Sequence, residues 1–226
     1  MKIVDLTLPI YEGMPCFPVP WYPKPKIEHV ITPESDPTKS NRYASKAHLF
    51  CHGGTHLDSP MHYNYFDCKK TIDKVPLNVL VGQTVWVHFP DKKNLEGITE
   101  AELEEATKGY VLKDNRLLIT TGYTDKNWGK EDYFSVSPYL TTKAAEWMVE
   151  KGIAMVGIDF QTDKPGDTTY PVHNILLSNE VYILEYVSNV DQLVKDGFAK
   201  EFFMVVGSLK IKDIEASPAR VFAIQQ

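Results

Sequence analysis

Cysteine is scarce in this 226-residue chain: Cys16, Cys51 and Cys68 are odd in number and form no C-x-x-C pair. That excludes a disulfide framework and points to a reducing, cytoplasmic setting, with the thiols as ordinary core or loop residues. Long apolar runs are also missing, so no segment reads as a membrane-spanning helix. The opening MKIVDLTLPI carries Asp5 and lacks the long apolar stretch of a secretory signal, and none is expected. Positive charge is not in excess either. Lys and Arg number 24 against 30 Asp and Glu, a formal charge of −6, which argues against nucleic acid or an anionic membrane as partner. A small-molecule substrate fits this balance better.

What remains is ordinary globular material, with 43% hydrophobic and 24% charged residues. A single domain over residues 1–226 is expected, large enough to fold without a structural cross-link. Eight of the fifteen prolines fall between residues 9 and 37, among Tyr11, Phe17, Trp21 and Tyr22. Proline removes a backbone donor and fixes φ, so this stretch predicts an irregular arm with at most a short edge strand at 26–31. It is too aromatic for a disordered linker, and packing over a pocket or a neighbouring subunit is the expectation.

Strands are expected at 1–10, with Val4, Leu6 and Leu8 on one face, at 42–52 and at 79–89. Further strands are expected at 116–121, 153–159, 181–187, 201–206 and 218–224. Thr99-x-x-Glu102 is a capping-box pattern that predicts a helix over 99–108. Thr141 or Thr142 caps a second helix ended by Gly152, and a third is expected near 171–178. The fold class is therefore α/β with a mixed sheet and flanking helices.

The chemistry concentrates in His52-Gly-Gly-Thr-His56-Leu-Asp58-Ser-Pro-Met-His62. Glycines and a proline argue against a helix here. In extended backbone His56 and Asp58 leave the same face, and the paired glycines let the chain bend His52 back toward it. Two imidazoles and one carboxylate converging this way suit an open Zn²⁺ or Mn²⁺ site. Cys51 alternates to the other face. His29 and His88 read as surface or core residues, and a ligand role for His48 is disfavoured.

These eleven residues match every position of H-x-G-T-H-x-D-x-P-x-H, and the chain resembles the cyclase family that includes bacterial kynurenine formamidase and isatin hydrolase. Asp5 to Pro15, Gly157-Ile158-Asp159 and His173 to Asn189 carry the likeness further. The resemblance implies a swivelling β/β/α fold and a homodimer or homotetramer. It also implies a site with two zinc ions per subunit, or manganese. His52 and His56 would bind one metal, His173 the second, and Asp58 and Glu185 would bridge them. His62 would be a proton shuttle for attack of metal-bound hydroxide on a small amide, an arylformamide such as N-formylkynurenine or a cyclic amide such as isatin. Glu180 competes with Glu185 by residue chemistry, but the E-x-x-x-N context favours Glu185. A cyclase or dehydratase using the same metal, or a non-catalytic metal-binding protein, are the alternatives. In kynurenine formamidases W-P-G-D follows the M-P segment. Here Phe17 stands in the tryptophan's place and Trp21-Tyr22 follow, so an aromatic, substrate-packing wall of altered shape is expected.

Overall fold

The computed structural model describes residues 1–64, 66 and 69–226; Cys68 lies outside these. Among the described residues twelve strands appear: β1 (Lys2–Asp5), β2 (Lys26–Ile31), β3 (Ala44–His48), β4 (His56–Asp58), β5 (Val81–His88), β6 (Gly97–Ile98), β7 (Arg116–Thr120), β8 (Tyr139–Leu140), β9 (Met155–Ile158), β10 (Tyr182–Glu185), β11 (Glu201–Ser208) and β12 (Ala216–Gln225). The helices are α1 (Leu77–Leu80), α2 (Glu100–Ala106), α3 (Tyr123–Asn127), α4 (Thr142–Glu150), α5 (Pro171–Ser178) and α6 (Val190–Lys195). None among the described residues is long and apolar enough to cross a membrane.

The main sheet runs β1-β12-β11-β5-β7-β9-β10-β4, and β4 also pairs with β12. That last pairing closes seven strands into a barrel-like ring with β1 added on β12. The centre, β5-β7-β9-β10, is parallel, and the remaining pairs are antiparallel. This is the mixed sheet the residue pattern predicts.

Alternation along the parallel strands sorts side chains into two cores. Val85, Val87, Leu117, Ile119, Val156, Ile158 and Ile183 face one way, under Leu103 of α2, Met148 of α4 and Leu176 of α5. Trp86, Leu118, Met155 and Leu184 face the other, with Leu57, Val206 and Val221. The helix signals act as predicted. Thr99 and Glu102 form the reciprocal capping box, Thr141 caps α4, and Gly152 takes φ 69° beyond that helix.

Several strands are shorter than the pattern suggests. At the N-terminus the ladder stops at Asp5 because the Thr7 hydroxyl takes the Val221 N–H at 2.8 Å in place of a backbone carbonyl. The strand expected over 42–52 covers only 44–48 and pairs with β2 alone, while residues beyond Phe50 turn through the double glycine. The 79–89 run begins in α1, so its strand starts at Val81.

Candidate metal centre

The site sits where β4 is held between β10 and β12. Antiparallel register puts Glu185 directly across from His56, and Asp58 opposite both Ile183 and Ala216. Directly opposed side chains lie close together on one face, so this pairing alone joins Glu185 to the motif. Just before β4, Gly54 adopts φ 66°, a left-handed bend open to glycine, and it returns His52 toward Asp58. After β4, Pro60 opens a single 3₁₀ turn that carries His62 back over the site. On α5, His173 approaches from the opposite side.

The distances describe a shared pocket of donors. His52 Nδ1 lies 3.0 Å from Asp58 Oδ1, and His56 Nε2 lies 3.4 Å from the same oxygen. Asp58 Oδ2 faces His173 Nε2 at 3.9 Å. Glu185 spans the same gap, with Oε2 3.4 Å from His56 Nε2 and Oε1 3.5 Å from His173 Nε2. Both carboxylates therefore reach from the His52–His56 side to the His173 side.

Three atoms at the centre, His56 Nε2 and both oxygens of Asp58, are buried without a hydrogen-bond partner. Leaving such groups unsatisfied costs about 1–3 kcal/mol each, more where charge is involved. A divalent cation would satisfy all three at once, and the nitrogen–oxygen donor set suits one. Ligand atoms of His52, His56 and Asp58 lie within 4.8 Å of one another, and so do those of Asp58, His62 and His173. His62 thus belongs to the second grouping by distance, and Glu185 joins the cluster through its contacts to His56 and His173.

Each of the three other histidines has its outward nitrogen fixed. His52 Nε2 meets Glu215 Oε1 at 3.0 Å, His56 Nδ1 meets the Gly54 carbonyl at 2.8 Å, and His173 Nδ1 meets Asp163 Oδ2 at 2.5 Å. Asp163 also accepts the Val172 N–H at 2.7 Å, so one carboxylate caps α5 and orients its histidine. Among the described residues nothing hydrogen-bonds the His62 ring, which lies against His52 with centroids 4.2 Å apart.

Charge follows this geometry. Burial opposes ionisation of Asp58, but His52 and His56 hold it well below the usual carboxylate range. Burial also disfavours a charged His52, yet Asp58 and Glu215 outweigh it and push the ring up to about 10. His62 goes the other way: burial lowers it to about 4 despite Asp58, so its ring is neutral at neutral pH.

Beside the cluster opens a cavity of about 460 Å³. Its walls include Phe17, Trp21, Tyr22 and Phe50 from the arm and its neighbour segment, with Tyr63, Trp128, Phe134 and Tyr186 opposite. Phe17 meets Phe134 edge-to-face at 5.6 Å, and Trp21 stands at the mouth, 71% exposed. The Tyr22 hydroxyl donates to the His52 carbonyl at 2.6 Å, tying arm to motif.

Other residues lie apart. Exposed Glu180 pairs with Lys70, outside the cavity. His29 bonds Tyr43 and Ser45 on the surface, exposed His48 is near Glu28, and His88 bonds Thr120. Asp159 braces the end of β7 by accepting the N–H groups of Thr121 and Gly122. Glu215 and Asp163 are not evident in the sequence. Asp163 sits in a Lys-Pro-Gly turn context, and Glu215 lies beyond the last landmark.

The cyclase family model matches residues 4–164. The chain belongs to the cyclase family. A kynurenine formamidase of Bacillus anthracis is 33% identical over 177 residues, 77% of each chain. Isatin hydrolase A from Labrenzia aggregata superposes with a TM-score of 0.86 at 23% identity, covering 98% of this chain and 93% of that one. A protein described as a predicted metal-dependent hydrolase from Bacillus stearothermophilus gives 0.75 at 27% identity, over 98% and 97%.

Proposed function

We propose that this cyclase-family chain is a metal-dependent hydrolase of a small aromatic amide, either an arylformamide or a cyclic amide. The observation that carries this reading is the pair of carboxylates, Asp58 and Glu185, each spanning from the His52–His56 side to His173 beside an aromatic cavity. His52 and His56 would hold one cation and His173 a second, with Asp58 and Glu185 shared; zinc or manganese suits these donors. A cation bound there polarises a carbonyl and makes water a stronger acid near neutral pH.

The chain's own residues supply the rest. Phe17, Phe134 and Trp21 enclose the aryl group and exclude water from it. His62 carries the proton. Its ring is neutral and unbonded, so it can accept a proton from the attacking water and return it to the leaving nitrogen. The ligand histidines are unsuited to that task because their outward nitrogens are fixed.

The test is a metal-reconstituted screen over formanilides, N-formylkynurenine, isatin and simple lactams, repeated with His62→Ala. We expect turnover in wild type, and a variant that keeps metal and fold while kcat falls roughly 10²–10⁴-fold. Loss of metal together with activity would make His62 a ligand. A wild type that binds metal but turns over none of these amides would refute the hydrolase reading.

A further inference from the structure

The carboxylate of Glu215 has no evident structural task, yet it is held with care. Residues 213–215 approach the motif just ahead of β12. The Ile72 N–H bonds the Ile214 carbonyl at 2.9 Å, and the Glu215 carbonyl accepts both the Ser59 N–H at 2.8 Å and the Ser59 hydroxyl at 2.7 Å. The next residue, Ala216, pairs with Asp58. The backbone of Glu215 is therefore locked to the segment carrying Asp58, independently of its side chain. That side chain is about one-third exposed and free to reach water, but it turns to His52 Nε2 at 3.0 Å. Among the described residues no Lys or Arg pairs with it, so no ordinary surface ion pair explains its direction.

Resting on the metal-site reading above, we propose that Glu215 is a positioning residue that fixes the His52 ring so that Nδ1 is presented beside Asp58. An imidazole has two nitrogens, and a free ring can offer either one by rotation. A carboxylate that accepts the Nε2–H selects the tautomer whose Nδ1 lone pair is available, and it raises the basicity of that nitrogen. Asp163 does this for His173 through Nδ1, leaving Nε2 inward, and the Gly54 carbonyl does it for His56. His52 is the ligand on the least regular backbone, in a turn rather than on a strand or helix, and so has most need of an external hold. Ser59, a variable position of the motif, acquires a purpose as well: its two bonds set where the Glu215 backbone sits.

The test uses the full chain and Zn²⁺ itself, competed against a chromophoric chelator, with Glu215→Gln and Glu215→Ala. Affinity should fall about 10–100-fold in Glu215→Ala. Glu215→Gln keeps an acceptor oxygen and should fall between it and wild type. The metal-free variants should still fold, because the Ser59 bonds go to the backbone carbonyl of Glu215, with only a small fall in Tm from the lost His52–Glu215 bond. Long-range ¹H–¹⁵N spectra of the His52 ring add a signature that a merely structural role would not move: one Nε2-protonated, Nδ1-coordinated pattern in zinc-loaded wild type, and a mixture of coordinated and uncoordinated rings in Glu215→Ala at the same zinc concentration. Wild-type zinc affinity and an unchanged ring pattern in both variants would overturn the positioning role. Failure of wild type to take up zinc would instead overturn the metal-site reading, and this inference with it.

Discussion

Thr55, the one hydroxyl inside the H-G-G-T-H run, offers a sharp perturbation. It is 1% exposed, accepts the Leu8 N–H at 2.9 Å and donates to the Tyr186 carbonyl at 2.6 Å. It thereby joins the N-terminal segment, the motif and the residue following Glu185. Tyr186 is bulky yet sits at φ 56°, a left-handed conformation that persists only where neighbours enforce it. Thr55→Val keeps the shape and removes both bonds, leaving a buried donor and a buried acceptor. At about 1–3 kcal/mol for each orphaned group, a loss of about 3 kcal/mol is a moderate expectation. For a domain of this size that corresponds to a fall in Tm of roughly 6–12 °C. Thr55→Ser keeps the hydroxyl and loses a methyl group, about 0.8 kcal/mol, or roughly 2–3 °C. Calorimetry of the metal-free proteins separates the two effects from any ligand contribution, and zinc titration then reports on the site. Zinc affinity should weaken in Thr55→Val as Tyr186, and Glu185 with it, relaxes. If Thr55→Val melts no lower than Thr55→Ser, the hydroxyl does not hold these segments together and the reasoning fails.

Two further expectations concern the arm and the sheet edge. Phe17→Ala should raise KM about fivefold for an aryl amide, matching roughly 1 kcal/mol of edge-to-face packing, whereas Trp21→Ala at the exposed mouth should raise KM without lowering Tm; unchanged kinetics in both would make the arm purely structural. Asp5 accepts Arg220 Nε at 3.0 Å and Nη2 at 2.6 Å; burial opposes its charge, but Arg220 and Thr7 lower its pKa. A lowered carboxyl stabilises the fold above its unfolded pKa, near 3.8, and that contribution vanishes as pH falls through the folded value. Asp5→Asn should therefore melt slightly lower than wild type at pH 7, by about 0.2–1 kcal/mol for so exposed a pair, and the gap should close in strong acid. A gap that widens toward acid would show that the ion pair is not its source.

Local signals located most of the elements. Capping by Thr99 and Thr141 and termination at Gly152 depend on residues within one turn, so each was legible in the sequence. The candidate donors of β4 were legible for the same reason: His56 and Asp58 need only strand alternation to share a face. Closure of the ring by β4 between β10 and β12 was not, because pairing partners over a hundred residues apart leave no local mark. The extents of the short strands were missed where a side chain replaced a backbone bond, as Thr7 does beside β1. Glu215 and Asp163 were missed because their meaning lies in which histidine nitrogen they meet. Each is an ordinary acidic residue at a turn or strand start until the fold brings its partner to it.

The same division runs through the site itself. Asp58, His56 and Glu185 stand on paired strands, and His173 is set by a capped helix, so their spacing is fixed by ladders and cores that tolerate little adjustment. The arm that supplies Phe17, Trp21 and Tyr22 contains no strand before Lys26, and it meets the motif through the bond from Tyr22 to the His52 carbonyl and through Met14 packed at Gly54. Substitutions at Phe17 or Trp21 in this proline-stiffened wall can reshape the cavity without touching the Tyr22 bond or the donors beneath it. On the proposed function, the absence of Gly-Asp beside Phe17 would bear on which aryl group fits rather than on what is done to its carbonyl. Chemistry resides in the rigid part of the chain and selection in the replaceable part, so relatives that share the donors need not share a substrate.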